Sequence, residues 1–168
     1  IKSYRKQFNR RWISLMPTNM YGPFDNFDLE TSHVLPAFIN RFVSAAKNGA
    51  QSVTVWGSGK PRREFLHSDD LAKATLIAAE KYDAPEHLNV GTGEDVTITE
   101  LAETVALESG FTGEIKWDSS KPDGTLRKVL DVTNIKQVGW APEIPLKKGI
   151  ASTIEWFKEN ENRLVKRY

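Results

Sequence analysis

Short strand-like runs alternate with amphipathic helical segments along this chain of 168 residues. Residues 53–56 and 88–90 are rich in β-formers and lead into glycine turns, whereas residues 33–48 repeat apolar side chains at helical spacing. Such alternation predicts an α/β fold with a partly parallel sheet. The short strands fall in two clusters that fit poorly into one doubly wound sheet starting at residue 1. We therefore expect part of a larger α/β protein.

The sequence also predicts where elements begin and end. Helices are predicted at residues 2–9, 33–48, 70–81, 97–108, 131–139 and 146–160, and strands at residues 12–17, 53–56, 63–67, 88–90 and 114–117. Residues 18–32 form a polar loop, and loops of this length inside compact domains are usually functional. Ser68, Asp69 and Asp70 are expected to cap one helix, and Thr97 with Glu100 makes a capping box for another. The charged end, residues 161–168, is expected to fray.

Charge and composition exclude several classes of function. Lys plus Arg number 23 and Asp plus Glu 22, which gives no general reason to expect nucleic acid or membrane as a partner. The chain has no cysteine, so disulfides and thiolate chemistry are excluded, and no His/Asp/Glu spacing indicates a metal. The basic first dozen residues carry Tyr4, Phe8 and Trp12 four residues apart. A nucleic-acid arm is one interpretation, but this spacing favours a helix with a solvated basic face and its aromatic face turned inward.

His33 is the first candidate for chemistry, because it follows the polar loop at the start of a predicted helix. The helix macrodipole there disfavours the imidazolium cation, which leaves a group able to exchange protons near neutrality. The alternative is a capping or surface histidine. The preceding strand ends near residue 17, and ligands of open α/β sheets bind outside the carboxyl ends of strands. We therefore expect a ligand site around residues 17–37.

Further candidates follow from single side chains, each with a structural alternative. Arg41 lies two helical turns beyond His33 and can bind a diphosphate through its guanidinium, unless it is a solvated surface arginine. Trp56 and Arg63 flank a glycine-rich turn, where an indole can stack on a ring and a guanidinium can hold a phosphate; the alternative is a hairpin with a core tryptophan. Asn19 can hold a carboxamide or simply form a strand-to-loop turn.

Other polar residues are interpreted structurally. The adjacent Asp69 and Asp70 are capping and dipole residues rather than a catalytic carboxylate pair. His67 is expected to be a satisfied structural histidine beside that cap, and His87 a loop residue. Asp123 lies in a Pro-Asp-Gly segment that is typical of a tight turn.

Residues 17–27, PTNMYGPFDNF, and residues 32–37, SHVLPA, resemble the GDP-L-fucose synthases of the extended short-chain dehydrogenase class. The Trp-Gly-x-Gly-x-x-x-Arg-x-Phe-x-His pattern at residues 56–67 is shared more widely in that class. The resemblance implies a Rossmann sheet plus a small α/β substrate domain. It also implies epimerisation of GDP-4-keto-6-deoxy-D-mannose at C3 and C5 and reduction of C4 with NADPH, and therefore NADP as cofactor and a GDP-sugar as substrate.

The resemblance implies a role for each matched residue. His33 matches the general acid of the epimerisation. The substrate-binding positions are Arg41, Trp56, Arg63 and Asp123, and the cofactor-binding positions are Pro17, Thr18, Asn19, Met20 and His33. The family also implies a cytoplasmic enzyme, active as a homodimer.

The family's other machinery is a dinucleotide glycine fingerprint, a Tyr-x-x-x-Lys pair and a cysteine base, and none of these is found in this sequence. We expect them before Ile1, which would make this chain the carboxyl-terminal part of such an enzyme and inactive alone. Residues 1–24 would end the Rossmann domain. Residues 25–168 would form mainly the substrate domain, with residues 64–95 returning to the Rossmann sheet.

Three rival interpretations remain. They are a non-catalytic nucleotide-sugar binding module, an epimerase or dehydratase acting on a UDP- or dTDP-sugar, and a nucleic-acid binding fragment that uses the basic start. The pattern of loop residues 24–37 favours the GDP-L-fucose synthases over the second rival.

Overall fold

The computed structural model describes residues 1–164, which alternate between helices and short strands as predicted. The helices are Lys2–Phe8 (α1), Val34–Lys47 (α2), Ser68–Lys81 (α3), Ile98–Ser109 (α4), Thr133–Gln137 (α5) and Leu146–Leu164 (α6). The strands are Ser14–Pro17 (β1), Asn19–Tyr21 (β2), Ser52–Trp56 (β3), Arg62–Arg63 (β4), Phe65–His67 (β5), His87–Val90 (β6), Val96–Thr97 (β7), Glu114–Asp118 (β8) and Arg127–Lys128 (β9).

Parallel pairing dominates the sheets, which confirms the predicted α/β class. β1 pairs with β6, β2 with β5 and β3 with β8, all in parallel. β4 lies between antiparallel β7 and parallel β9. These pairings bring residues 14–21 beside residues 65–67 and 87–90, although the segments are far apart in the sequence.

The buried apolar side chains form two clusters. The larger one joins α2, α4, α6 and β3 and includes Phe42, Val55, Leu101, Ile150 and Ile154, each at most 1% exposed. The smaller one joins β5, α3, β6 and α5 through a separate set of buried side chains: Leu66, Ala74, Ala78, Leu88, Val90, Val132, Ile135 and Trp140. Burial of these side chains supplies the main driving force for folding of each cluster.

Helix starts agree with the sequence at two of three capped helices. α2 begins after its N-cap His33, and the Thr97–Glu100 capping box precedes α4. The predicted cap of α3 was wrong, because His67 is the N-cap and its Nδ1 accepts a hydrogen bond of 3.2 Å from the Asp69 amide. Ser68 therefore belongs to the helix.

Asp70 binds a distant segment of the chain, although its position in the sequence suggests a capping residue. It is fully buried, and its carboxylate accepts hydrogen bonds from the amides of Glu143 and Ile144, the latter at 2.9 Å. This contact fixes the segment that leads into α6. The sequence could not predict it, because the partners lie more than 70 residues away.

Several strands and one helix differ from those predicted from the sequence. The polar loop 18–32 contains β2, because residues 19–21 find a parallel partner in β5. The strand predicted at 63–67 is interrupted at Glu64. β1 is half-exposed rather than buried. α6 continues through residues 161–164 instead of fraying there, and residues 165–168, the rest of that expectation, lie outside the described residues.

The aromatic face of α1 was expected to turn inward, and this was wrong. Tyr4, Phe8 and Trp12 are 53%, 50% and 46% exposed. The Tyr4 ring stacks on Trp12 with centroids 5.4 Å apart and lies tilted against Phe8 at 5.3 Å. Three basic side chains of this segment, those of Lys2, Arg5 and Arg11, pair with Glu86 or Asp83, as in the 2.6 Å contact of Arg5 with Asp83. The basic start is thus at least partly neutralised.

Candidate functional site

A cavity of about 630 Å³ opens where the polar loop meets the first turn of α2. Its wall is formed by residues 18–25, residues 33–36, Arg63, Phe65 and Ser68. Its size lies within the usual range for small-molecule sites, roughly 300–1,000 Å³. The cavity follows the carboxyl end of β1, as expected for ligand sites of parallel sheets.

His33 lies on the wall of this cavity with an exposed side chain. As N-cap of α2 it has extended backbone angles, and within residues 1–164 its imidazole makes no capping hydrogen bond. The imidazole is therefore available to a ligand. The two other histidines are placed elsewhere: His67 is buried beneath the Tyr21–Gly22 turn, and His87 begins β6 as an exposed residue.

His67 is not the satisfied histidine that the sequence suggested. Its Nδ1 accepts from the Asp69 amide, so Nε2 carries the proton, and this donor has no partner among the described residues. His87, expected in a loop, is the first residue of a strand.

Asp25 shares the cavity with His33 and was missed by sequence reasoning. Burial raises the pKa of the half-buried Asp25 carboxyl, and the Asn26 backbone N–H and the nearby His33 partly offset this effect. A carboxyl and an imidazole that face one cavity can exchange or share a proton with a bound ligand. The sequence could have indicated this pair, because Asp25 lies only eight residues before His33, in the loop that leads to it.

The predicted cofactor positions are partly on the cavity wall. Thr18, Asn19 and Met20 line it, whereas the exposed Pro17 does not. The Asn19 side-chain amide donates a 2.8 Å hydrogen bond to the Glu64 carbonyl, and Thr18 Oγ1 donates to the same oxygen at 3.2 Å. These bonds hold the loop against the β4–β5 junction.

Arg63 is the substrate candidate that the structure brings to His33. It lines the first cavity and also a second one of about 380 Å³, formed with Thr92, residues 94–96 and residues 142–146. Its guanidinium donates to the carbonyls of Arg62 and Thr125, which fixes its direction. The second cavity shares Arg63 and Phe65 with the first, so the two adjoin.

Arg41, Trp56 and Asp123 are not among the lining residues of either cavity. Arg41 donates a 2.9 Å hydrogen bond to the Thr54 carbonyl of β3, and the 68% exposed Trp56 ends that strand with Lys121 Nζ 5.7 Å from its ring centroid. These side chains therefore gather around the end of β3, and their role in binding stays a prediction.

Asp123 connects the loop 119–126 to the glycine turn after β3. Its carboxylate accepts from the Ser58 amide at 2.8 Å and from Ser58 Oγ at 2.6 Å, which together hold the pKa of Asp123 below its usual value. Gly57 must lack a side chain here, because its φ is 84° and a Cβ would lie 2.6 Å from Asp123 Oδ1. Asp123 is thus a tertiary link and not only a turn residue.

Glu64 is the largest omission of the sequence interpretation. It is 0% exposed, and its carboxylate accepts from the amides of Gly93 and Leu130, both at 2.8 Å, and from Thr92 Oγ1 at 3.3 Å. A buried carboxylate with several donors cross-links the segments that supply them. Nothing in the local sequence distinguishes it from an exposed strand glutamate.

Two further properties of residues 1–164 bear on the site. No group of three His, Cys, Asp or Glu side chains in that part of the chain is arranged to hold a metal ion. None of its helices is both long and apolar enough to cross a membrane.

Comparison with known proteins identifies the class to which this fold and cavity belong. Residues 1–91, more than half of the chain, match the NAD dependent epimerase/dehydratase family, and the chain belongs to that family.

Three relatives illustrate the similarity. The chain is 54% identical over 159 residues to a probable GDP-L-fucose synthase 1 of Oryza sativa, with 95% of this chain and 48% of the relative covered. It is 50% identical over 171 residues to the GDP-L-fucose synthase of Escherichia coli, covering 96% and 53%. The structure of a GDP-L-fucose synthetase from Naegleria fowleri bound to NADP superposes with a TM-score of 0.87 at 30% identity, covering 96% and 54%. The chain thus spans about half the length of the curated relatives it matches.

Proposed function

We propose that this chain is the carboxyl-terminal, substrate-binding part of a GDP-L-fucose synthase. Such an enzyme epimerises GDP-4-keto-6-deoxy-D-mannose at C3 and C5 and reduces C4 to give GDP-L-fucose. The single observation that carries the proposal is the position of His33, at the N-cap of α2 and on the wall of the 630 Å³ cavity, within the Ser-His-Val-x-Pro-Ala motif. The identity of 50–54% to GDP-L-fucose synthases supports it.

His33 would act as the acid of the epimerisation. The C4 ketone acidifies the protons at C3 and C5, so a base can remove each proton and an acid can return it on the opposite face. An exposed imidazole on the cavity wall can present its proton to a bound sugar carbon. Asp25, which faces the same cavity, would stabilise the protonated imidazole by its charge.

NADP is the proposed cofactor, and the cavity fits one edge of it. Thr18, Asn19, Met20 and His33 line that cavity beyond the carboxyl end of β1, where a nicotinamide ring of this family would lie. Pro17 would complete this wall from the strand side. When bound, NADPH supplies the hydride for C4. The chain's own part is to hold the ring, and the bonds of Thr18 and Asn19 to the Glu64 carbonyl keep that loop in place.

Arg41, Trp56, Arg63 and Asp123 are proposed to bind the GDP-sugar. Arg63 lines both cavities, and Arg41, from the middle of α2, reaches the carboxyl end of β3, where Trp56 lies. Guanidinium groups pair well with a pyrophosphate, and an exposed indole can stack on a ring. We also propose a homodimeric, cytoplasmic enzyme. Residues 1–24 and 64–95 would belong to its Rossmann sheet, in accord with the separate core that packs β1 with α3 and β6.

A chimera tests the proposal directly. The corresponding part of the Escherichia coli GDP-L-fucose synthase is replaced by this chain, and formation of GDP-L-fucose is followed together with deuterium uptake at C3 and C5 from heavy water. We expect an active chimera in which His33→Gln lowers proton exchange by about 10²–10⁴-fold, the usual contribution of a positioned acid, while GDP-sugar binding changes far less.

His87→Gln is the matched control, because His87 is exposed and lies outside the cavity wall. It should exchange protons at the rate of the unmodified chimera. An inactive but folded chimera would refute the proposed function, and undiminished deuterium uptake in His33→Gln would refute the role of His33.

A further inference from the structure

Phe24 has an unusual backbone conformation. Its φ is 67°, in the left-handed region that favours glycine. Among residues 1–164 the only other non-glycine residue with positive φ is Asn9, which is the C-cap of α1 and thus in an ordinary place for it. A bulky aromatic residue there carries a steric cost and is a real outlier. Such strain concentrates at ligand-binding segments.

The strained backbone presents the Phe24 ring to the main cavity. The side chain is 81% exposed, although it lines the same cavity as His33 and Arg63. Its ring lies 4.9 Å from the ring of Trp156 on α6, and Trp156 in turn stacks at 6.0 Å on the buried Phe27. The ring is therefore held in position from one side while its other surface faces solvent.

An exposed, pre-positioned aromatic ring gains free energy when a ligand covers it. A hexose offers an apolar C–H face and an edge of hydroxyl groups. Phe24 suits the first, and His33 and Asp25 on the same cavity wall suit the second.

We propose that Phe24 contacts the sugar of the bound nucleotide-sugar, with its ring packed against the apolar face of the hexose. This assignment rests on the proposed function. It adds a residue that selects the sugar, as distinct from Arg41 and Arg63, which would hold the diphosphate.

Saturation-transfer NMR on this chain tests the assignment, because the method reports which ligand protons contact the protein and tolerates weak binding. The probes are GDP-L-fucose, GDP and NADP. Phe24→Gly removes the ring and accepts the positive φ, whereas Phe24→Tyr keeps the ring. Phe8→Gly removes a half-exposed ring outside the cavity and serves as the matched control.

We expect Phe24→Gly to weaken GDP-L-fucose binding about threefold to tenfold, the size of effect usual for a lost aromatic contact, and to reduce saturation of the fucosyl methyl group relative to guanine H8. Binding of GDP and NADP should not change. Phe24→Tyr and Phe8→Gly should behave like the unmodified chain.

Three outcomes would overturn the assignment. If the unmodified chain binds GDP-L-fucose and Phe24→Gly leaves the fucosyl signals intact, Phe24 does not contact the sugar, and the proposed function stands. If Phe24→Gly weakens NADP binding instead, the ring belongs to the cofactor. If the unmodified chain binds neither GDP nor GDP-L-fucose, the proposed function fails as well.

Thermal unfolding separates a binding role from a structural one. Phe24→Gly should melt at the temperature of the unmodified chain or above, because the ring is mostly exposed and the backbone strain is relieved. Phe27→Ala, which empties a buried site, should melt well below it. A loss in Phe24→Gly as large as that in Phe27→Ala would show that the ring serves packing alone.

Discussion

Replacement of Glu64 by glutamine should destabilise the chain strongly although it changes only one heavy atom. The carboxylate is 0% exposed and receives the Gly93 and Leu130 amides on separate oxygens, each at 2.8 Å. A glutamine offers one acceptor and must turn its NH₂ group towards the other amide, which leaves a buried donor facing a donor. The change removes one charge-assisted hydrogen bond and leaves one amide unsatisfied.

The expected cost follows from these two losses. A hydrogen bond to a charged group is worth about 1.5–3 kcal/mol, and an unsatisfied buried donor costs about 1–3 kcal/mol. The terms overlap, so we expect about 2–4 kcal/mol. For a chain of this size that corresponds to a melting temperature roughly 5–15 °C lower.

Urea and thermal unfolding measure the cost, and amide hydrogen exchange locates it at Gly93 and Leu130. Glu94→Gln is the matched control: Glu94 is exposed and close by, so its substitution should stay within about 0.5 kcal/mol. If Glu64→Gln unfolds like the control and both amides remain protected, the carboxylate does not hold these segments together.

Two further predictions concern glycine turns of the chain and the link made by Asp123. Gly49 and Gly59 both have positive φ, but a Cβ at Gly49 meets no described atom within 4 Å, whereas one at Gly59 would overlap Thr99 Oγ1 and lie 2.8 Å from Trp117. Gly49→Ala should therefore cost about 1–2 kcal/mol of unfolding free energy from backbone strain alone, and Gly59→Ala should cost clearly more. Equal losses in the two variants would contradict the overlap at Gly59. The pKa of Asp123 is lowered by its bonds from Ser58, so the link between loop 119–126 and the turn after β3 should be fully formed above the ordinary pKa of aspartate and be lost as the pH falls through the lowered value. The NMR chemical shift of the Ser58 amide should follow this titration in the unmodified chain and should not change with pH in Asp123→Asn. A titration that persists in Asp123→Asn must come from another group.

Features set by neighbours in the sequence could be predicted. The capping box of Thr97 and Glu100 spans four residues, and His33 stands at the junction of a polar loop and an amphipathic stretch. Such local patterns fix helix starts with little help from the rest of the fold. The position of the candidate acid on the cavity wall was therefore accessible to sequence reasoning.

Features that depend on distant partners could not be predicted from the sequence. Glu64 meets Gly93 and Leu130 at separations of 29 and 66 residues, and Asp123 meets Ser58 across 65. β2 exists only because β5 lies beside it. The inward aromatic face predicted for α1 failed for a related reason, because helical spacing shows that a face is apolar and does not show what covers it.

The segment Arg63-Glu64-Phe65 connects the stability of the fold to the candidate site. Side chains of an extended chain alternate between two faces, so Arg63 and Phe65 share one face and Glu64 takes the other. Arg63 and Phe65 line both cavities, and Glu64 lies in the interior, where its carboxylate and its carbonyl together bind residues 18–19, 92–93 and 130. Glu64 therefore holds the proposed cofactor loop through its backbone carbonyl, and its buried carboxylate anchors the segment that carries Arg63, whose guanidinium is proposed to bind the diphosphate. Substitutions of Glu64 should consequently disturb ligand binding through the wall of the site, although Glu64 itself touches no ligand.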